Sequence, residues 1–509
     1  MRMGAQPVTL APATMPRMGA VDERYQSYNI EMIEVTGGRF WKPYDPAAKR
    51  PETPSPSAGR TGSTASGIPA DRYEYRPPID LSNGRLRKLA AALGPAYVRV
   101  SGTWANTVYF HDSDDRPPEN PPAGFSGVLT RKQWKGVMDF ARAANASIVT
   151  SFAFSAGTRD AAGRWTPGQA RRFLAYTKAA GGSIAAVEFM NEPNYAAQGG
   201  APKGYDAAAF GRDIDGFRRF FREAGPGSLL AGPGSTGEGG VLGSVPTPGK
   251  LNTEDLLKAA GPGFDVFSYH IYTAVSQRCS DAMPAIGTTA AAALSKEWLS
   301  RPDKIHDFYA DLRDRYEPGK PLWVTETADA GCGGNPWAST FLDTFRYLNQ
   351  QGRLAQKGVQ MIAHNTLSAS DYGLLDEKSF TPRPNYWGAL LWRRLMGRVV
   401  LNPGPTTQND LYLYAHCMRD RNGGVAVLAI NAGSAPRELT VPLAGERYTL
   451  TAGELESRAV QLNRLELHDG ADGALPRIQG TPVRAGRVSL PATSITFVTL
   501  PGAGNEACQ

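Results

Sequence analysis

Two short segments of this chain carry a glutamate at the end of an apolar run. The first, AAVEFMNEPN, spans Ala185 to Asn194 and sets Glu192 between Asn191 and Pro193. The second, PLWVTETADAGCGGN, places Glu326 134 residues further on. Two carboxylates that flank one bond can hydrolyse a glycoside. One, protonated, assists the leaving oxygen; the other, ionised, attacks the anomeric carbon. Asn191 is placed to hydrogen-bond a sugar 2-hydroxyl, a contact that tightens in an oxocarbenium-like transition state. Pro193 fixes the backbone after the acid. A third segment, FSYHIY, supplies His270 and Tyr272, which share a parity and are read as lying past a strand. A tyrosine there can hydrogen-bond the nucleophile and hold it ionised. His270 either contacts the same region or is a core histidine satisfied by backbone. A lone Asn-Glu is weak evidence, because many carboxylates end strands as caps or ion-pair partners. Competing chemistries lack their motifs: the chain has no G-x-S-x-G elbow and no G-x-x-x-x-G-K-S/T loop.

Such a pair needs a scaffold that brings distant strand ends together. Eight short apolar or β-branched runs are read as strands: Tyr25–Met32, Ala96–Ser101, Ser147–Ala153, Ala185–Met190, Ser228–Gly232, Asp265–His270, Leu322–Thr325 and Val359–His364. Helical segments lie between them. In TPGQARRFLAYTKAAGG, Thr166 reads as an N-cap, Pro167 as the first helical residue and Gly181 as the stop. In DAAAFGRDIDGFRRFFREAG, Phe210, Ile214, Phe217 and Phe221 share a face and Gly225 ends the run. Runs alternating with helices predict parallel βαβ units, and eight of them predict an α/β fold of the (β/α)8 TIM-barrel type over residues 21–396. Active sites of that fold sit at the C-terminal strand ends. Glu192 follows strand 4 and Glu326 follows strand 7, nearly opposite in the ring.

Past about Gly397 the texture becomes short strands with turn signals and few helix formers. This predicts an all-β sandwich over residues 397–509, with residues 1–20 adding a strand to it. Two Pro-rich stretches read as loops. Lys42 to Pro78 follows strand 1 on the catalytic face, either shaping the substrate site or disordered; His111 to Gly124 follows strand 2.

Hydrophobic residues make up 41% and charged residues 20%, which fits an ordinary water-exposed domain protein. No run approaches the roughly 18 apolar residues of a membrane span. The first residues lack the apolar core of a signal peptide. A net charge of +7 favours acidic partners, but the basic residues are scattered, without a Lys/Arg block. Among the four cysteines, Cys279 and Cys332 form no C-x-x-C pair and neighbour no histidine cluster, so no zinc site is expected. The four are free thiols or two disulfides, and Cys508 is placed to staple a terminus.

At these residues the sequence resembles the heparanase family, glycoside hydrolase family 79. The resemblance spans most of the chain. LRKLAAALGPAYVRVSGTWAN is similar to the segment around that family's second strand. EFMNEPN resembles its general-acid motif and LWVTETADAGCGG its nucleophile motif, which implies those roles for Glu192 and Glu326. YHIY and SASDYGLLDEKSFTPRPNYWGALLWRRLMG resemble further barrel segments. LYAHCMRD and the terminal ACQ resemble the cysteines that staple the family's C-terminal domain, which implies a Cys417–Cys508 disulfide.

The family cleaves β-linked glucuronic acid with retention, and it grips the uronate carboxylate with backbone amides of a Gly-rich turn and a tyrosine. By position these are Gly333, Gly334 and Tyr372. Such groups bind a carboxylate without a competing basic side chain beside the nucleophile; the bland alternative for the glycines is a plain turn. There are departures. Glu31 stands where mammalian heparanase has an aspartate that touches the sugar. Cys332 replaces a glycine of the turn, and a Cys279–Cys332 bridge between adjacent loops is expected. The linker removed from mammalian heparanase has as counterpart only a short loop around Pro117–Pro122, so a single-chain enzyme active without processing is expected.

The resemblance implies an endo-β-glucuronidase acting on heparan sulfate or a related polysaccharide, with exo action on terminal glucuronides as the alternative. A third reading is a non-catalytic polyanion-binding protein. No metal, organic cofactor or nucleic acid is expected, and a monomer, secreted or periplasmic, is.

Overall fold

The computed structural model describes residues 7–44, 70–225, 227–244, 247–280, 284–406 and 410–509. Eight parallel strands close into a barrel: β1 (Gln26–Glu31), β2 (Ala96–Ser101), β3 (Ala146–Ser151), β4 (Ile184–Glu188), β5 (Leu229–Ser235), β6 (Val266–Ile271), β7 (Leu322–Thr327) and β8 (Met361–His364). They follow one another around the ring, and β8 returns to β1 with Ile362 opposite Gln26. Each of the eight runs read from the sequence becomes one strand. Parallel strands covered on both faces are apolar almost throughout, which is why these runs are legible without alternation.

Helices on the outside tie the strands together. Helix Ala207–Ala224 starts where the Asp206 side chain accepts the Ala209 N–H at 2.8 Å, and it ends before Gly225. Its Phe210, Ile214, Phe217 and Phe221 are buried against the barrel. Helix Gly168–Ala179 differs from expectation at its start. Pro167, not Thr166, occupies the cap, and the Thr166 hydroxyl donates to the Thr158 carbonyl at 2.8 Å instead.

Beyond the barrel, two sheets face one another. The larger contains Met396–Leu401, Leu411–Met418, Val425–Asn431, Ser494–Leu500 and Gly445–Thr451 in that order; the smaller pairs Arg437–Val441 with Gly486–Leu490. Leu401, Leu413, Val427, Leu439, Val441, Val488 and Leu490 fill the space between them. The chain's start contributes to both sheets. Val8–Thr9 runs parallel to Arg437–Val441, and Arg17–Ala20 runs antiparallel to Met396–Leu401. The Cys417–Cys508 disulfide fastens the last turn to strand Leu411–Met418.

The sandwich braces the barrel behind β7. Helix Phe341–Gln356, which follows β7, is buried along most of its length. Tyr414 from the sandwich donates to Asn349 at 2.6 Å, and a methyl group on Gly352 would come within 2.2 Å of the Tyr414 ring. No other residue fits there without moving the ring.

Of the Lys42–Pro78 loop, residues 45–69 lie outside the described residues. Its ends form an antiparallel hairpin, Gly38–Trp41 with Tyr73–Arg76. The His111–Gly124 loop is bracketed by a short parallel pair, Val108–His111 with Gly127–Thr130. Among the described residues, no helix is long and apolar enough to cross a membrane.

Candidate active site

The C-terminal mouth of the barrel gathers charged residues that lie far apart in the chain. Arg99 on β2 is 1% exposed and sits at their centre. Its Nε donates to Glu188 Oε2 at 2.9 Å, its Nη1 to Glu326 Oε2 at 3.0 Å, and its Nη2 to Asn191 Oδ1 at 2.7 Å. Asn29 Oδ1 on β1 accepts Nη1 at 3.2 Å. Glu188, the last residue of β4, fills its other oxygen with the hydroxyls of Ser268 at 2.9 Å and Thr325 at 2.8 Å. Burial alone would raise the Glu188 carboxyl, but the Arg99 charge and these bonds hold it below the usual carboxylate range. A buried ion pair of this kind is expensive to desolvate, and its remaining donors and acceptors are met.

Glu192 lies four residues beyond Glu188. Its backbone is left-handed, with φ 49°, immediately before the single turn Pro193–Tyr195. The flanking amides impose this conformation. Asn106 grips the Asn191 backbone on both sides, accepting its N–H at 2.8 Å and donating to its carbonyl at 3.0 Å. Asn194 bonds the Thr236 backbone in the same two-way manner, at 2.6 and 3.1 Å. The segment Asn191-Glu192-Pro193-Asn194 is thus a braced corner that lifts one carboxylate above the barrel.

Glu326 and His270 both lie inside their strands rather than past them, and the register pairs them directly across β6 and β7. β7 runs two residues further than the apolar run suggests, because Thr327 continues the ladder to β6 and β8. His270 Nδ1 is 3.0 Å from Glu192 Oε1 and 3.8 Å from Glu326 Oε2. Tyr272, just past β6, donates to Glu326 Oε1 at 2.6 Å. Burial, then the Glu326 charge, push this phenol well above its ordinary pKa, so it stays a neutral donor. Glu192, His270 and Glu326 offer ligand atoms that lie within 4.8 Å of one another. The same arrangement could present a cation site, but the Arg99 guanidinium already bonds Glu326 and lies 3.4 Å from His270 Nε2, where its charge opposes a second cation.

Beside this pair lies a corner built from three loops. Cys332, Gly333 and Gly334 all have positive φ, of 61°, 81° and 84°. A methyl group on Gly333 would come within 2.5 Å of Trp41 Cβ, and one on Gly334 within 3.1 Å of Asp329 Oδ1 and Tyr372 Cβ. Among the described residues neither glycine's N–H has a hydrogen-bond partner. Tyr372 reaches the same corner and accepts from Asn365 Nδ2 at 3.2 Å, which leaves its own proton available. The Cys279–Cys332 disulfide ties the loop after β6 to this turn.

Glu31 ends β1 and is buried, with one oxygen lacking a partner among the described residues. Burial, then the Glu326 charge, raise it well above the carboxylate range. Gly102 creates its seat, since a methyl group there would come within 1.5 Å of Glu31 Oε2.

A basic side chain does stand beside Glu326, namely Arg99. The carboxylate there needs a counter-charge once it leaves water, and β2 supplies it. Sequence reasoning also passed over Glu188, Asn29 and Asn365. The available signal was a lone charge inside an apolar run, Arg99 in YVRVS and Glu188 in AAVEF.

Residues 78–352 match the model of the glycosyl hydrolase family 79 N-terminal domain. Heparanase-like protein 1 of Arabidopsis thaliana is 27% identical over 488 residues, 85% of this chain and 86% of that protein. Heparanase of Mus musculus is 26% identical over 497 residues, 84% of this chain and 88% of its own. A solved 4-O-α-L-rhamnosyl-β-D-glucuronidase from Fusarium oxysporum 12S shares the fold, with a TM-score of 0.63 over 97% of this chain and 100% of that chain at 13% identity.

Proposed function

The chain belongs to glycosyl hydrolase family 79, and on that premise we propose that it is a retaining β-glucuronidase. In this reading Glu192 protonates the glycosidic oxygen and then serves as base for water. Glu326 attacks the anomeric carbon and carries the covalent glycosyl intermediate. The observation that carries the proposal is the closeness of the two carboxylates, one oxygen of each lying within 4.8 Å of the other and of a His270 ring nitrogen. Inverting enzymes separate their pair by roughly 6.5–9.5 Å to admit a water. The Tyr272 and Arg99 hydrogen bonds fix the direction in which the Glu326 carboxyl points. Gly333, Gly334 and Tyr372 offer neutral donors to a uronate carboxylate.

The first substrate is heparan sulfate or a related glucuronic-acid polysaccharide, cleaved internally. Support comes from the heparanase relatives and the net charge of +7. A second reading, release of terminal glucuronic acid, is favoured by the hairpin. On a uronate the carboxylate and O4 are borne by neighbouring parts of the ring, so a chain continuing through O4 leaves beside the carboxylate's seat. The hairpin is pinned at that corner. Arg76 pairs with Glu377, the Tyr44 N–H donates to Asp371 at 3.2 Å, and the Tyr44 hydroxyl accepts the Arg278 N–H at 2.8 Å. The two disulfides suit an oxidising compartment, hence secretion or a periplasm.

The test is the size profile of heparan sulfate treated with wild type and with Glu326→Gln. A rapid fall in chain length with wild type alone supports internal cleavage and the nucleophile together. Free glucuronic acid with unchanged length selects terminal action. Undiminished cleavage by Glu326→Gln removes it as nucleophile.

A further inference from the structure

We infer that Arg278 determines specificity by supplying the positive charge against which a carboxylate on the Gly333–Gly334 turn is distinguished from a neutral group. This rests on the β-glucuronidase reading above. Arg278 lies in the loop after β6 and is 5% exposed. Its Nη2 pairs with Asp371, and its guanidinium stacks 4.0 Å from the centre of the Tyr44 ring. Its Nη1 is buried and, among the described residues, has no hydrogen-bond partner. That nitrogen faces the turn: a methyl group on Gly333 would come within 2.8 Å of it and of Ser370 Oγ. An orphaned charged donor costs stability unless something answers it, and an anion seated on the glycine N–H groups would do so.

The juxtaposition is covalently enforced. Arg278 precedes Cys279 and Gly333 follows Cys332, and these cysteines are bridged. Backbone bonds zip the same two loops, from Ser276 N–H to the Gly331 carbonyl and from Gly331 N–H to the Ala274 carbonyl, each at 3.0 Å. Among the described residues, other guanidinium groups near the corner are already engaged. Arg99 is engaged by Glu188 and Glu326, and Arg76 by Glu377. Tyr372 senses the guanidinium too, which partly offsets the burial and carboxylate charges that raise its phenol.

The experiment compares 4-nitrophenyl β-glucuronide with its uncharged isostere, the glucuronamide, in wild type, Arg278→Gln, Arg278→Lys and Asp371→Asn. Wild type must cleave the glucuronide and Glu326→Gln must not; failure there together with no cleavage of heparan sulfate removes the β-glucuronidase reading itself. Given that activity, Arg278→Gln is expected to lower kcat/KM for the glucuronide about 10–100-fold and leave the amide within about threefold. Arg278→Lys, which keeps the charge, should fall between. Parallel losses on both substrates, or an unchanged ratio, would overturn the inference. If Arg278→Gln shows no cooperative melt, Asp371→Asn decides. It removes the opposing charge and should raise the preference for glucuronide, and an unchanged or lower preference would overturn the inference equally.

Discussion

Arg99 holds two carboxylates from opposite sides of the barrel, donating to Glu326 Oε2 at 3.0 Å through Nη1 and to Glu188 Oε2 at 2.9 Å through Nε. One buried guanidinium therefore lowers the Glu188 carboxyl and fixes the aim of the proposed nucleophile. Arg99→Met should leave two buried carboxylates uncompensated and cost about 3–5 kcal/mol of stability. Arg99→Lys keeps a charge but not the fork, so it should fold while kcat falls at least about tenfold. Denaturant melts beside steady-state kinetics separate the two effects. A lysine variant with wild-type kcat would show that aim does not depend on the fork.

Burial and the Glu326 charge raise the Glu31 carboxyl well above the carboxylate range, a shift that favours its protonated form. Glu31→Gln, neutral like that form, should keep kcat within about threefold. Gly102→Ala should displace the Glu31 carboxyl and cost about 1–3 kcal/mol by overpacking. The same assay and melts check both, and a large loss in Glu31→Gln would mean that the acid works ionised.

The two disulfides should differ in what they support. Cys417–Cys508 closes a separation of 91 residues in the sandwich, far from the mouth. Its removal by paired serines should cost about 2–5 kcal/mol without changing kcat. Removing Cys279–Cys332 should instead raise KM for glucuronides, because that bridge fixes the turn. Equal KM in both variants would contradict the assignment.

Asp329 gives a pH signature. Burial, then the Asp343 charge, push its carboxyl up to about 7 from an ordinary 3.8. A carboxyl with a raised folded-state pKa favours folding while protonated. Its contribution is present below about pH 4 and is lost as pH rises toward 7. Asp329→Asn removes this loss and keeps an acceptor for the Asn335 N–H. Its Tm advantage over wild type should therefore grow between pH 4 and 7 and level off above. A difference constant with pH would rule out titration of Asp329 in that range.

The barrel strands are legible because each is an unbroken apolar run flanked by polar or turn residues. The helix at Ala207–Ala224 is legible from its phenylalanine spacing and its Asp206 cap. Glu192 and Glu326 stand out as carboxylates where such runs stop. Arg99 and Glu188 do not, since a single charge in a run of five can as well face solvent. Arg278 has no local mark at all in AVSQRCSD; only the approach of Gly333 and Asp371 gives it meaning.

What the sequence determined by itself was therefore the order of strands and helices and the strand ends that carry carboxylates, because periodicity and burial act over a few neighbouring residues. Tertiary structure alone decided which groups share a proton or a counter-charge. Arg99 meets Glu326 across 227 residues of chain, and Tyr44 meets Arg278 across 234. Protonation and aim depend on desolvation and on charges a few ångströms away, and those distances exist only after the barrel has closed.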